Sequence, residues 1–303
     1  MQTYNIEDIV SGSIMTKTPV IIVEGIDDMP VYKDIAVSID IEAQVLASEL
    51  IKDGKSGCEG VKELMADIDA LPESRYDYKD YIVGIIDKDV TDYRGEIPDY
   101  KCLFPLRYYS MESHFVCETT VLDLLKSSTK TTNNLLDERV KGVVTSSIMN
   151  SLNRLYLVSL EALQGALDSE YDSLFSYSCT SGRAYCDENL FNQISDKKAE
   201  LESFAQSKGI EFDLESMRKF IKGKWLLDIY FREFDKALKT LPQFCESGEI
   251  IQCEFCMVGV ADKCSYTIKN TITPDALRTL AMTSTDNRNF DYIKDKFRQL
   301  KQK

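Results

Sequence analysis

The sequence predicts an α/β protein in which a mostly parallel sheet, flanked by helices, precedes a largely helical C-terminal half. Short apolar runs alternate with helical patterns over residues 15–118, which is typical of a parallel sheet with crossover helices. Beyond Val121 the pattern changes to long helical periods. The chain has 303 residues, 44% of them hydrophobic and 28% charged, which is enough for one large core or two modest ones. We therefore expect an α/β domain at residues 15–118 and a mainly helical region at 119–303.

The elements of the first domain alternate in chain order. Residues 20–23 form an apolar run that ends at Glu24, as a buried strand would. A helix is predicted at residues 29–37, with Asp27 or Asp28 as its N-cap. The further predicted elements are a weaker strand at 43–47, a helix at 57–68, a strand at 81–86, a strand at 102–106 and a helix that begins at Met111. This succession predicts a Rossmann-like sheet.

The second region has one long predicted helix, over residues 214–241. Its apolar residues recur at helical spacing along one stripe, at Phe220, Leu227, Phe231, Phe234 and Leu238. Lys224 falls on the same stripe. Residues 249–258 and 265–269 look strand-like, so a short hairpin is possible near 249–269.

An acidic balance and a single histidine exclude several classes of function. The formal net charge is −14, which argues against a general polyanion binder because phosphate contacts need clustered cations. Since His114 is the one histidine, two-imidazole ribonuclease chemistry and multi-histidine zinc sites are excluded. Any nucleic-acid site must be local or assisted by a metal ion.

The sequence also predicts a cytoplasmic protein with no membrane segment. No stretch approaches the ~18 consecutive apolar residues of a membrane span. Residues 1–10 lack the basic and apolar regions of a signal peptide. Nine cysteines at irregular spacings fit a reducing compartment better than a disulfide scaffold.

Four of these cysteines admit two interpretations. Cys253-x-x-Cys256, with Cys245 and Cys264 nearby, could in principle hold zinc. The pair lies, however, in a strand-like apolar run without the usual glycines, and no second CxxC exists. We therefore expect small apolar core residues rather than metal ligands.

Acidic side chains follow three of the four predicted strands. Glu24 follows the first, Asp87 and Asp89 follow the third, and Glu112 lies just after the fourth, while Asp28 could face the same crevice. Converging carboxylates repel one another unless they share protons or a cation, and oxygen ligands are those that Mg²⁺ and Mn²⁺ prefer. The pattern predicts metal-assisted phosphoryl transfer. The structural alternatives are a helix cap at Asp28, a helix-dipole role for Glu112 and turn formation by Asp87 and Asp89, whereas Glu24 has no obvious structural role.

Three motifs in order resemble the Toprim domain, in particular its DUF4435 branch, which is related to the Toprim nucleases of OLD-type proteins. They are residues 22–28 (IVEGIDD), 84–89 (GIIDKD) and 109–113 (YSMES), with a weaker echo at Gly223-Lys224. The resemblance covers roughly residues 15–118 and implies a metal-dependent fold for phosphodiester chemistry. One departure is Lys88, because relatives commonly carry Arg between the two acids.

The acids and the resemblance together suggest a role for each residue. Asp87 and Asp89 would hold Mg²⁺ or Mn²⁺, Glu24 would bind the ion or act as general base, and Asp28 and Glu112 would complete a second metal site. Lys224 would either place its amine at the surface or stabilise charge on the transferred phosphate.

In size and layout the chain is similar to the Toprim effectors of the PARIS anti-phage defence system. This resemblance implies a toxic ribonuclease that cleaves tRNA, is held inactive by a separate ABC-type ATPase partner and is released as a homodimer. The chain itself lacks a P-loop, because Glu49 replaces the upstream glycine of a motif that would end at Gly54-Lys55-Ser56. An ATP site would therefore belong to another chain.

Two other functions stay open at this point. Residues 87–91 (DKDVT) also fit the DxDx[TV] motif of a HAD-type phosphatase with Asp87 as nucleophile, although two strands precede the motif here. The other alternative is a non-enzymatic regulator that binds a metal or a partner, since a fold does not establish activity.

Overall fold

The computed structural model describes residues 5–51, 54–283 and 288–301. The helices are α1 (Ile6–Thr16), α2 (Met29–Val37), α3 (Gly57–Asp69), α4 (Thr91–Arg94), α5 (Val121–Ser128), α6 (Glu138–Ser151), α7 (Asn153–Leu167), α8 (Ser181–Cys186), α9 (Glu188–Asp196), α10 (Lys198–Ser207), α11 (Leu214–Phe220), α12 (Gly223–Ser247), α13 (Glu254–Met257), α14 (Pro274–Met282) and α15 (Asp291–Arg298). The strands are β1 (Val20–Val23), β2 (Gln44–Ala47), β3 (Ile82–Ile86) and β4 (Leu103–Pro105).

The chain divides into two compact units. The first comprises the described parts of residues 1–111 and 285–303, and the second those of residues 112–284. The sequence analysis placed the boundary at 118 and assigned the whole C-terminal end to the helical region. Instead, α15 packs against α2 in the first unit. The sequence of a short helix does not indicate which distant part of the chain the helix packs against.

The first unit contains a four-stranded sheet in the order β2-β1-β3-β4, and every pair of neighbours is parallel. Val20 of β1 pairs with Gln44 on one side and Ile82 on the other. All residues of β1 and β3 are buried, as expected for central strands of a parallel sheet. The predicted α/β class with a parallel sheet is confirmed.

The strand order places a topological switch point between β1 and β3. The chain leaves β1 toward β2 at one side of the sheet and leaves β3 toward β4 at the other. In open α/β sheets, the loops after the two strands at such a point part and leave a crevice at their carboxyl ends. The residues that follow β1 and β3 therefore lie where this kind of fold binds ligands.

Helix α3 covers the sheet at close range because β3 carries a glycine at the contact. A Cβ atom added to Gly84 would lie 2.6–2.9 Å from three atoms of the Met65 side chain. Met65 is fully buried in the core that α1, α3 and the sheet share. Close packing of this kind fixes α3 relative to β3, the neighbour of β1 in the sheet.

The helix predicted to begin at Met111 is a short 3₁₀ segment, Met111–Phe115. The unit boundary falls inside this segment, after Met111. Glu112 therefore belongs to the second unit.

The second unit is helical, as predicted, with α12 packed against α6, α8 and α14. The helix predicted at 214–241 is interrupted, because Ile221 is extended and Lys222 is also non-helical between α11 and α12. The Tyr177 hydroxyl donates to the carbonyl of Phe220, and Lys222 Nζ donates to the carbonyl of Tyr177, both at 2.7 Å. These contacts with a distant loop stabilise the interruption.

The hairpin suggested near 249–269 is not formed. This segment contains α13, the 3₁₀ turn Ala261–Lys263 and a single antiparallel bridge from Ile268 to Thr129. Its cysteines point inward, whereas Met257 and Val258 are exposed, so the apolar run does not alternate as a strand would.

In the part of the chain that the structure describes, no helix combines the length and apolar character needed to cross a membrane.

Candidate active site at the carboxyl end of the sheet

The backbone of Glu24 is anchored by the loop that precedes α3. Its carbonyl accepts a hydrogen bond from the Gly57 N–H at 3.0 Å, and the Ser48 hydroxyl lies 3.2 Å away. That loop lies close to α3 only because residue 60 is a glycine, since a Cβ there would lie 1.8 Å from the carbonyl oxygen of Lys55. The position of Glu24 at the end of β1 is therefore set by packing as well as by the strand.

A hydrogen bond from backbone to side chain joins the ends of β1 and β3. Glu24 Oε1 accepts the backbone N–H of Asp87 at 2.8 Å. Asp87 Oδ1 in turn accepts the N–H of Met111 at 3.2 Å. Residues that follow β1, β3 and β4 are thus connected through the carboxylate oxygens of Glu24 and Asp87.

The proton affinity of Glu24 reflects burial and neighbouring negative charge. Burial raises the pKa of the Glu24 carboxyl to about 7, and the charges of Asp89 and Asp28 add to the increase. The hydrogen bond from Asp87 and the charge of Lys62 act in the opposite direction without cancelling it. The structure therefore brings Glu24, Asp28, Asp87 and Asp89 into one electrostatic environment.

Asp89 is held in an unusual backbone conformation. Its φ is +45°, in the left-handed region that Asp tolerates better than most residues, and its N–H donates to the carbonyl of Tyr109 at 2.9 Å. Burial raises the pKa of the Tyr109 phenol above its ordinary range, and the Asp89 carboxylate adds to this both by its charge and by a hydrogen bond. Asp89 therefore contacts Tyr109 through both its backbone and its side chain.

Asp28 does not have the structural role that its position suggested. It is the N-cap residue of the described helix α2, but its side chain makes no capping hydrogen bond there. Asp28 Oδ2 lies 3.7 Å from the position a Cβ on Gly25 would take, beside the Glu24-Gly25 turn. Tyr32, one turn further along α2, is buried, and its pKa is raised by that burial and by the charges of Asp87 and Asp28.

Sequence reasoning missed a lysine near the acids. Lys62 lies on α3 with its side chain 13% exposed and pairs with Glu59 at 2.9 Å. Its charge lowers the pKa of Glu24. No local pattern identifies this residue, because Lys62 occupies an ordinary position in an amphipathic helix and α3 reaches Glu24 only through the fold.

Two predicted site residues belong to the second unit. Glu112 is half-buried in the Met111–Phe115 segment, next to the fully buried His114. Lys224 is exposed in the first turn of α12, although the apolar residues predicted to share its stripe are buried. Their proposed roles continue to rest on the sequence.

The four acids of the first unit suit a hard divalent cation. All donors are carboxylate oxygens, and the charges of Asp89 and Asp28 add to the rise that burial causes in the pKa of Glu24. These acids do not form a group of three or more whose ligand atoms all lie within 4.8 Å of one another. Among the described residues, the group that meets this criterion consists of four cysteines of the second unit. Since Mg²⁺ usually takes one or two carboxylates and keeps several waters, a closed cage of acids is not required.

Comparisons with protein-family models and with curated proteins found no match to this chain.

Proposed function

We propose that this chain is a metal-dependent nuclease of the Toprim type that cleaves RNA phosphodiesters. One observation carries the proposal most: Glu24 and Asp87 follow adjacent parallel strands at the switch point of the sheet and are joined by a 2.8 Å hydrogen bond. Asp28 and Asp89 contribute negative charge at the same place. These acids belong to the motifs at residues 22–28 and 84–89, on which the resemblance to the Toprim domain rests.

Each acid has a proposed role. Asp87 and Asp89 would bind Mg²⁺ or Mn²⁺, with Asp28 as a ligand of a second ion. A bound ion would supply an activated water and charge neutralisation at the scissile phosphate. Glu24, whose pKa is raised to about 7, would act as the general base that accepts a proton from the attacking nucleophile.

The substrate and partners are proposed from the resemblance. We infer a toxic effector of anti-phage defence that cuts tRNA, is silenced by an ABC-type ATPase and acts as a homodimer in the cytoplasm. The chain's net charge of −14 supports a site that depends on a metal for phosphate binding rather than on a broad basic surface.

Purified chain free of any inhibitor, incubated with total cellular RNA and with plasmid DNA, tests the proposal. We expect RNA cleavage in Mg²⁺ or Mn²⁺, none in EDTA, and a loss of at least about 100-fold in Glu24→Gln, the scale of a lost general base. Asp67→Asn, at an exposed position of α3, is the matched control and should cleave normally.

Each alternative predicts a different result. Hydrolysis of a small phosphomonoester that requires Asp87 but not Glu24 would indicate a phosphatase. Intact RNA and DNA under all metal conditions, with a cellular effect that persists in Glu24→Gln, would indicate a non-enzymatic regulator. Cleavage of DNA but not RNA would agree with the proposed nuclease reaction and would show that RNA is not the substrate.

A further inference from the structure

Four buried cysteines of the second unit converge on one point. The Sγ atoms of Cys245, Cys253, Cys256 and Cys264 all lie within 4.8 Å of one another, and those of Cys253 and Cys264 are 3.9 Å apart. Each of the four residues is at most 8% exposed. This cluster belongs to no part of the nuclease site proposed above.

The spacing fits a single tetrahedral ion. A zinc–thiolate bond of ~2.3 Å places the four sulfurs of a tetrahedron about 3.8 Å apart. The observed separations need only a small contraction to reach this value. An iron–sulfur cluster would hold the cysteine sulfurs further apart, because several iron and sulfide atoms lie between them.

The backbone turns at each end of the cluster bring the thiols together. Cys245 lies near the C-terminus of α12, and Gly248, with φ +78°, caps that helix. Cys253 precedes α13 and Cys256 lies on it, so the CxxC pair wraps the start of a helical turn instead of alternating along a strand. Gly259, with φ +76°, then reverses the chain toward Cys264. The turn glycine absent directly after the CxxC is thus present three residues later.

Backbone N–H groups point at the sulfur atoms. The N–H of Cys253 donates to Cys245 Sγ at 3.3 Å, and the N–H of Ser265 donates to Cys253 Sγ at 3.4 Å. Hydrogen bonds of this kind stabilise negative charge on sulfur, and metal-binding thiolates commonly receive them from the surrounding shell. Cysteines that only fill core volume have no need for such donors or for a common centre.

We propose that Cys245, Cys253, Cys256 and Cys264 bind one Zn²⁺ as a structural site. On binding, each thiol releases its proton and forms one zinc–sulfur bond, and nothing is oxidised or reduced. Four protein ligands leave no open position for substrate, so the ion stabilises the fold and does no chemistry. It would tie the end of α12 to residues 249–269, a segment with little regular secondary structure of its own.

The metal content of the purified chain tests this proposal directly. We expect one zinc per chain by elemental mass spectrometry, retained on gel filtration, and its loss in Cys253→Ser/Cys256→Ser. Cys186→Ser, at an exposed cysteine outside the cluster, should retain the zinc. Iron in place of zinc, or zinc that persists in the double variant, would overturn the assignment.

A second measurement on the wild-type chain does not depend on a variant that folds. Replacement of zinc by Co²⁺ should produce the intense visible absorption and sulfur-to-cobalt charge-transfer bands of tetrahedral thiolate ligation. Absence of these bands from reduced, Co²⁺-loaded protein, or a mass lower by the protons of two disulfides, would show that the thiols do not bind a metal. Neither result depends on nuclease activity, so the two proposals can fail separately.

Discussion

At the scale of single residues, the burial of Glu24 disfavours the charged form of its carboxyl group. A carboxyl that is largely removed from water beside Asp28 and Asp89 favours its protonated form, and one hydrogen bond from Asp87 does not reverse this. Such a group can exchange a proton at neutral pH, but it lowers the stability of the metal-free fold when it ionises. The same environment that suits catalysis therefore has a cost in stability.

This cost should appear as a pH dependence. The folded-state pKa of Glu24, about 7, lies above its ordinary value of 4.5. The stabilisation from this group is therefore complete below about pH 4.5 and is lost as pH rises through about 7. In EDTA, the unfolding free energy of wild type relative to Glu24→Gln should fall by up to about 3 kcal/mol between pH 5 and pH 8. Denaturant unfolding at both pH values measures this. A difference between the two proteins that does not change with pH would contradict it.

Lys62 should modulate the same titration. Since its charge lowers the pKa of Glu24, Lys62→Met should raise that pKa further. Carboxyl carbon NMR, with the Glu24 resonance assigned from Glu24→Gln, measures the midpoint. Lys55→Met, which breaks an exposed pair with Glu63, is the control and should leave the midpoint in place. An unchanged or lower midpoint in Lys62→Met would remove Lys62 from the site.

At the scale of elements, the candidate site depends on how closely α3 packs against β3 and against its own preceding loop. Two glycines allow this approach: Gly84 faces Met65, and Gly60 lies against the backbone of Lys55. The obstacle at Gly84 is a flexible side chain, whereas the obstacle at Gly60 is a carbonyl that holds its loop in place. Because only the Lys55 carbonyl is rigid, a side chain at residue 60 should displace the loop that anchors Glu24 more than a side chain at residue 84 would.

Gly60→Ala and Gly12→Ala should have opposite effects. Both glycines lie in helices, but a Cβ at residue 60 would lie 1.8 Å from a backbone oxygen, while one at residue 12 meets nothing within 4 Å. We expect Gly60→Ala to destabilise by about 2 kcal/mol or more through overpacking. Gly12→Ala should stabilise by up to about 1 kcal/mol through helix propensity. Thermal unfolding of both variants measures this, and similar effects would show that the α3 contact is not tight.

At the scale of the whole molecule, the two proposed metal sites differ in their donor chemistry. The acids of the first unit are hard oxygen donors, and the cysteines of the second unit are soft sulfur donors. The first would exchange its ion readily, whereas the second is buried and closed. A chelator should therefore remove the first ion and leave the second bound.

Brief EDTA treatment followed by gel filtration should abolish cleavage and leave the zinc content unchanged. Mg²⁺ alone should then restore activity. Removal of zinc with a thiol-reactive mercurial and a chelator should lower the unfolding temperature by several degrees, because a structural ion contributes directly to folding free energy. If cleavage returned only on addition of Zn²⁺, the assignment of the two sites would be wrong.

Local sequence patterns predicted most elements of the first unit but fewer details of the second. The apolar runs of β1 and β3 and the acids directly after them could be predicted because a buried strand and its end are encoded within a few residues. The interruption at Ile221 and Lys222 could not be predicted, because it depends on hydrogen bonds with a distant loop. The absence of the hairpin could not be predicted either, because residues 249–269 follow the convergence of four cysteine side chains.

By itself, the sequence determined the α/β class, the parallel strands and the order in which Glu24, Asp87 and Asp89 meet the carboxyl edge of the sheet. Only the tertiary structure decided that Lys62 acts on Glu24, that α15 belongs to the first unit and that four cysteines face one another. The physical reason is the range of the interactions: hydrophobic periodicity acts within one element, whereas the direction of a side chain toward a distant partner depends on the path of the whole chain.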